Sequence, residues 1–296
     1  MKTSIASGLL STAITAFLFA AATASAATPA AIDIHEGFAY ADITAMQAGG
    51  WTKQAKSQVS PVFVDVGTDR AVGFNNTQLK KSFSPASIAA DSFTLTADLA
   101  MSQFMGGMYV LVASAPDAEG KVYGYAISWN GGSSGGTYSP NGSFTIGTVN
   151  GVTEANLSFG YSISGSNVNM STAVRSNITI TDRTGITPAS IANLRPTAVS
   201  DFGSVTLTWE KSTGLLNLFL GSDTSGTPAI SITNTAYSSF ANIYVSGNGY
   251  SYVNNINLTV SPSSIPEPGT YALFVGAVIG SLVLFRRLRR SRGHRG

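Results

Sequence analysis

Two histidines stand in 296 residues, and there is no cysteine. His35 lies near the start and His294 near the end, so no pair has the spacing that a zinc site or a Ser-His-Asp triad requires. Without cysteine there is no thiol nucleophile, no thiolate metal site and no disulfide framework. His35, next to Glu36, reads as a surface residue of an N-terminal strand. Carboxylates are then the remaining catalytic groups. A glycoside hydrolase needs two of them about 5–10 Å apart across the scissile bond, which on one strand means acids at i, i+2 or i+4. Asp117 and Glu119 have that spacing, but Pro116-Asp117-Ala118-Glu119-Gly120-Lys121 reads as a solvated hairpin loop. The Glu-x-Asp-x-Glu strand of jelly-roll glucanases is absent. The sequence therefore predicts no catalytic residue.

Asp65-Val66-Gly67-Thr68-Asp69 offers carboxylate and carbonyl oxygens of the kind Ca²⁺ prefers. Two acids in a turn are also ordinary turn formers, and no cofactor other than this Ca²⁺ is expected. Aromatic side chains offer a different chemistry, because sugar faces stack on them. Trp51, Trp129 and Tyr138 are the candidate glycan contacts. Trp129-Asn130-Gly131-Gly132-Ser133-Ser134-Gly135-Gly136-Thr137-Tyr138 reads as a long flexible loop flanked by two of them.

The elements that must position these residues are strands. Phe93, Leu95, Ala97 and Leu99 alternate with Thr94, Thr96 and Asp98, the pattern of a half-buried strand. Similar alternation recurs over 122–129, 157–163, 178–180, 205–209, 216–220, 243–245 and 256–260, with Gly, Asn, Ser and Pro between. Residues 205–209 and 216–220 predict a hairpin whose turn ends on Gly214. No amphipathic helix of ten residues is expected between Ala27 and Ser261, although 188–194 suits a turn or two. Many short strands without an internal repeat predict an all-β domain of two packed antiparallel sheets.

Both ends read as targeting segments. Lys2, an apolar stretch over 5–22 and Ala24-Ser25-Ala26 form a signal peptide, residues 1–26, cleaved after Ala26 by signal peptidase after passage through the Sec translocon. A β-sandwich ectodomain over 27–262 follows. Residues 27–265 hold ten Lys and Arg against fourteen Asp and Glu, a net −4. The chain's formal +2 comes from the arginines at its end. A mildly acidic domain is a poor nucleic-acid binder. Beyond it, over 263–296, come Pro266-Glu267-Pro268, an apolar run, and Arg286, Arg287, Arg289 and Arg290. As a helix, 269–285 spans about 25 Å, the low end for crossing a bilayer. The arginines keep the tail on the cytoplasmic side and the ectodomain outside.

Pro266-Glu267-Pro268-Gly269-Thr270, the short apolar helix and Arg287-Leu288-Arg289-Arg290 resemble the PEP-CTERM sorting signal of Gram-negative bacteria, with Ile265 where valine commonly precedes the motif. The resemblance covers about thirty residues. It implies recognition by an exosortase-type enzyme near Pro-Glu-Pro, in organisms that make exopolysaccharide. The chain would be anchored in the inner membrane before processing and reach the cell surface or extracellular matrix afterwards. The ectodomain's opening Glu36-Gly37-Phe38-Ala39-Tyr40 with Gly49-Gly50-Trp51, and its 206–220 hairpin, resemble concanavalin A-like or laminin G-like jelly rolls. That resemblance implies a fold used to bind polysaccharide, in some members with Ca²⁺, and in a few to hydrolyse it. Together these features predict an exported structural or glycan-associated sandwich. A carbohydrate-binding lectin-like module and a polysaccharide-degrading hydrolase are the alternatives.

Overall fold

The computed structural model describes residues 30–54, 57, 59–83, 87–101, 107–134, 137–154, 157, 170–179, 196, 198–199, 202–248, 251–263 and 279–280. Ala30–Pro262 form one compact unit. The signal segment with Ala24 and Ala26, the Pro266-Glu267-Pro268 motif, the tail arginines and the 188–194 turn lie outside the described residues. Of the apolar run over 269–285, Ile279 and Gly280 are described, and both are helical. Among the described residues no helix is long and apolar enough to cross a membrane.

The alternating segments over 93–99, 122–129, 205–209, 216–220, 243–245 and 256–260 are strands, as expected, whereas Leu157 is not in a strand and 158–163 with Ile180 lie outside the described residues. β1 (Ile32–Glu36), a short helix α1 (Ile43–Ala48), β2 (Trp51–Lys53), β3 (Val62–Val66), β4 (Asp69–Phe74), β5 (Thr77–Ser82), β6 (Ile88–Met101) and β7 (Gly107–Ala113) make the first half. β8 (Lys121–Ser134), β9 (Thr137–Thr153), β10 (Met170–Thr179), β11 (Gly203–Glu210), β12 (Leu215–Leu220), β13 (Ile230–Thr233), β14 (Ser239–Phe240), β15 (Asn242–Asn248) and β16 (Ser251–Pro262) complete it. One sheet runs β13-β12-β11-β6-β16-β4-β3, with β1 also on β16 and β14 on β6. The other runs β10-β9-β8-β7-β15-β5-β2. Every pairing is antiparallel. The chain is an all-β, two-sheet antiparallel sandwich.

The inward residues of both sheets meet in one core. Phe93, Leu95, Val205, Leu207 and Leu258 from the first sheet pack with Val110, Val112, Ile127 and Val245 from the second. Four aromatics fasten the centre. Trp209 stacks on Tyr125 at 5.4 Å and on Phe93 at 6.0 Å, while Phe240 meets Phe93 edge-on at 5.3 Å. The expected hairpin pairs Val205 with Leu220 and Trp209 with Leu216, and its Gly214 has φ +67.

One expectation is corrected. The Gly-Ser stretch after Trp129 is not a long loop: β8 continues to Ser134 and β9 begins at Thr137, and these two residues pair. A residue's backbone pairs whatever its side chain, and strand pairing inherited from the body of the hairpin outweighs the low strand propensity of glycine here.

Candidate functional site

Ile32 stands opposite Val260, so the first strand begins where the last one ends. Because the ladders are antiparallel, every strand end can be assigned to one of two poles. The pole of Ile32 and Pro262 also carries the 114–120 and 211–214 turns. The opposite pole carries the β8–β9 tip, where Ser133 pairs with Tyr138, and the 221–229 connection. The end of β16 at Pro262 lies at the pole remote from that tip.

Trp51 was expected as a glycan contact and is instead a core residue, fully buried. Its Nε1 donates to Glu36 Oε2 at 2.7 Å, its ring packs on Phe38 at 5.3 Å, and Lys81 Nζ sits 5.6 Å from its centroid. Glu36 collects three further donors: Phe38 N at 3.0 Å, Tyr40 Oη at 2.9 Å and Lys81 Nζ at 2.9 Å. Burial alone pushes the Glu36 carboxyl up, but Lys81, Trp51 and Tyr40 outweigh it and hold the carboxyl below its usual range. Burial and the same carboxylate push the Tyr40 phenol up to about 12. Glu36 belongs to β1 and Lys81 to β5, so this buried ion pair ties one sheet to the other.

Trp129 is also turned inward, 8% exposed and stacked on Phe144 at 5.6 Å. The backbone of Tyr138 pairs with Ser133 in the β8–β9 hairpin. Asp117 is occupied within its own turn, accepting from Glu119 N, Lys121 N and Tyr123 Oη at 2.8–2.9 Å. Glu119 pairs with Lys121 at 2.8 Å. Asp65 meets Arg70 Nε at 3.3 Å, and Asp69 Oδ1 accepts from Arg70 N at 2.7 Å. A guanidinium beside Asp65 and a backbone donor on Asp69 do not fit a Ca²⁺ site at 65–69. Among the described residues no three His, Asp or Glu gather into a possible metal site. His35 is exposed, bound to Asn257 Oδ1 at 2.9 Å and Asp33 Oδ2 at 3.0 Å. Asn257 and Asp33 both raise its imidazole pKa.

His35 belongs to a larger surface. The outer face of the first sheet carries an in-register row across six strands, Ser231–Asn217–Thr208–Thr94–Thr259–Asp33. The next row runs Phe219–Thr206–Thr96–Asn257–His35, with Thr96 Oγ1 3.1 Å from Thr206 Oγ1. Its signal in the sequence is Thr-x-Thr at 94/96 and again at 206/208, then Asn-x-Thr at 257/259. Those threonines were read only as the solvated side of strands, because nothing in one sequence shows that β11, β6 and β16 are neighbours.

Where it is described, the outer side of the second sheet is largely buried. The outer sides of Tyr109, Leu111 and Ala113 join Tyr244, Val149 and Leu157 in a second buried cluster. Alongside it, Gln78–Ser246–Tyr109–Ser128–Thr145 form a buried row in register across five strands. Gln78 Nε2 donates to Tyr109 Oη at 2.9 Å. Ser128 Oγ and Thr145 Oγ1 have no partner among the described residues.

These features define an all-β sandwich with one buried inter-sheet carboxylate and one broad hydroxyl-lined face. No family model and no curated protein matches the chain. Its structure is similar to lectin-like sandwiches at low sequence identity. The legume lectin-like domain from Entamoeba histolytica is 10% identical, with TM-score 0.43, over 74% of this chain and 92% of its own. The metal-free exoplasmic/lumenal domain of VIP36 is 10% identical, with TM-score 0.43, over 78% and 96%. Arcelin-5, a lectin-like defense protein from Phaseolus vulgaris, is 10% identical, with TM-score 0.40, over 79% and 100%.

Proposed function

We propose that this chain is an exported cell-surface or extracellular-matrix protein, sorted through its PEP-CTERM-like tail, whose β-sandwich has a structural or glycan-associated role without catalysis. The observation that carries the reading is the Ile32–Val260 pairing. It sets the first and last strands of the sandwich side by side, with Ile32 and Val260 at one pole and the β8–β9 tip at the other. A sandwich tethered at Pro262 thus presents that far pole and its sheet faces to the surrounding polymer. Signal peptidase and the Sec translocon act first, the inner membrane holds the 269–285 helix, and an exosortase-type enzyme acts on Pro266-Glu267-Pro268. Exopolysaccharide is the surrounding partner, and the domain's net −4 disfavours nucleic acid.

The test is localisation of the full chain in Gram-negative cells with and without an exosortase-type enzyme. With the enzyme, the chain should begin at Ala27, lose its arginine tail and leave the inner membrane. Without it, or with Glu267→Ala, the chain should stay in the membrane fraction with its sandwich open to external protease. A chain that keeps its N-terminus and stays inside the cell in both hosts sinks the reading.

A further inference from the structure

The outer face of the first sheet has a composition that solvation alone does not require. β1, β6, β11, β12, β13 and β16 contain no Lys or Arg at all. Exposed sheet surfaces are ordinarily guarded by such charges. Most of their outward positions are small hydroxyls and amides, with His35, Phe219 and Leu215 as the exceptions, and Asp33 and Asp98 are partnered within the face. Asp33 accepts from Thr259 Oγ1 at 3.1 Å, and Asp98 accepts from Ser204 Oγ and from Asn255 Nδ2. The Ser231–Asp33 row has no side chain larger than Asn, so that row is level.

On the reading that the chain stands in an extracellular polymer layer, we infer that this face is a docking surface for an extended neutral polysaccharide. Six strands across are about 24 Å, and Ser92 to Asp98 along β6 about 20 Å, giving hydroxyl groups repeating at about 4.8 Å by 6.7 Å. That footprint, about 500 Å², is below the roughly 800 Å² per partner that a stable protein interface buries, and it lacks an apolar centre. A second copy of the chain is therefore a poor occupant. With Asp33, Asp98 and Glu210 on the face and no lysine or arginine, an anionic polymer is repelled. A neutral chain meets donors and acceptors at each strand. Single hydroxyl contacts in water are worth little, so retention comes from many sandwiches engaging one polymer. No aromatic platform is needed, which accounts for Trp51 and Trp129 being spent in the core.

The test is retention of the full chain, in detergent micelles, on insoluble cellulose, chitin and an α-glucan, against alginate as the acidic polymer. The variant Thr94→Lys with Thr259→Lys puts two cations in the centre of the face, Thr208→Lys repeats the change from the neighbouring strand, and Ala236→Lys is the control on an exposed loop. The wild type should be held by at least one neutral polymer and not by alginate. Either face variant should lower that retention at least tenfold while gaining retention on alginate, a change misfolding would not produce, and Ala236→Lys should leave it unchanged. Equal retention of wild type and folded face variants overturns the assignment of this face. No retention on any neutral polymer overturns the docking itself, whereas the localisation experiment separately scores the export reading.

Discussion

The indole N–H of Trp51 and the carboxylate of Glu36 meet at 2.7 Å in the interior, with Lys81 on the same oxygen at 2.9 Å. A carboxylate this buried survives as an anion only because it is saturated with donors. Glu36→Ala should therefore destabilise by about 3 kcal/mol, since it strands Lys81 and the indole N–H, and Glu36→Gln by less. Because the folded state holds the carboxyl below its unfolded value, its contribution is present above the ordinary carboxylate range and is lost as pH falls through the depressed value. Denaturant melts from pH 7 to pH 3 should show wild-type stability falling more than that of Glu36→Gln. Lys81→Met removes the cation that most opposes burial and should weaken that fall. Parallel pH curves for wild type and Glu36→Gln would refute the assignment.

Gly124 faces the carbonyl of Val112, and a Cβ built there would lie 2.0 Å from that oxygen. The β7–β8 ladder has no room for it, so Gly124→Ala should prevent native pairing and yield protein without a cooperative melt. Gly120 is the comparison. It has φ +75 and nothing within 4 Å of an added Cβ, so Gly120→Ala should cost only the left-handed strain, about 1 kcal/mol. A well-folded Gly124→Ala would mean that β7 and β8 pair in another register.

Legibility in the sequence followed burial. β6 and β11 were readable because one side faces the core and the other water, so Phe93/Leu95 and Thr94/Thr96 alternate. β7 was not, because Gly-Met-Tyr-Val-Leu-Val-Ala is buried on both sides and carries no period. α1, six residues long and capped by Asp42 on Ala45 N at 2.8 Å, is too short for a helical stripe. The Glu36–Lys81 pair joins residues 45 apart, and no local pattern marks it. Trp51 looked accessible beside Gly49 and Gly50 because composition alone cannot distinguish a loop aromatic from a core one.

The buried Ser128 and Thr145 hydroxyls are without a partner among the described residues. Each carries a desolvation cost with no compensating bond. Ser128→Ala and Thr145→Val should therefore leave stability unchanged or raise it by about 1 kcal/mol in thermal or denaturant melts. A loss above about 1 kcal/mol would show that the hydroxyls do have partners when the protein is in water.

The centre of the sandwich should be the most sensitive region. Asn234 presents its carbonyl to Trp209 Nε1 at 3.0 Å and to Tyr125 Oη at 3.2 Å, and the Tyr125 oxygen also accepts from Tyr237 N at 3.2 Å. One connecting segment is thus bonded to both sheets, while Phe240, six residues on, plugs the ring cluster between them. Phe240→Ala should cost about 3–5 kcal/mol by opening a cavity among Phe93, Tyr125 and Trp209. Tyr125→Phe keeps the ring but takes the hydroxyl from the Tyr237 N–H and carbonyl, so about 1–2 kcal/mol is expected. Measured by denaturant melts, the two losses should add to less than their sum in the double variant, because both loosen the same segment. Strict additivity would mean that the hydrogen bonds at Asn234 and the packing of Phe240 hold the sheets together independently.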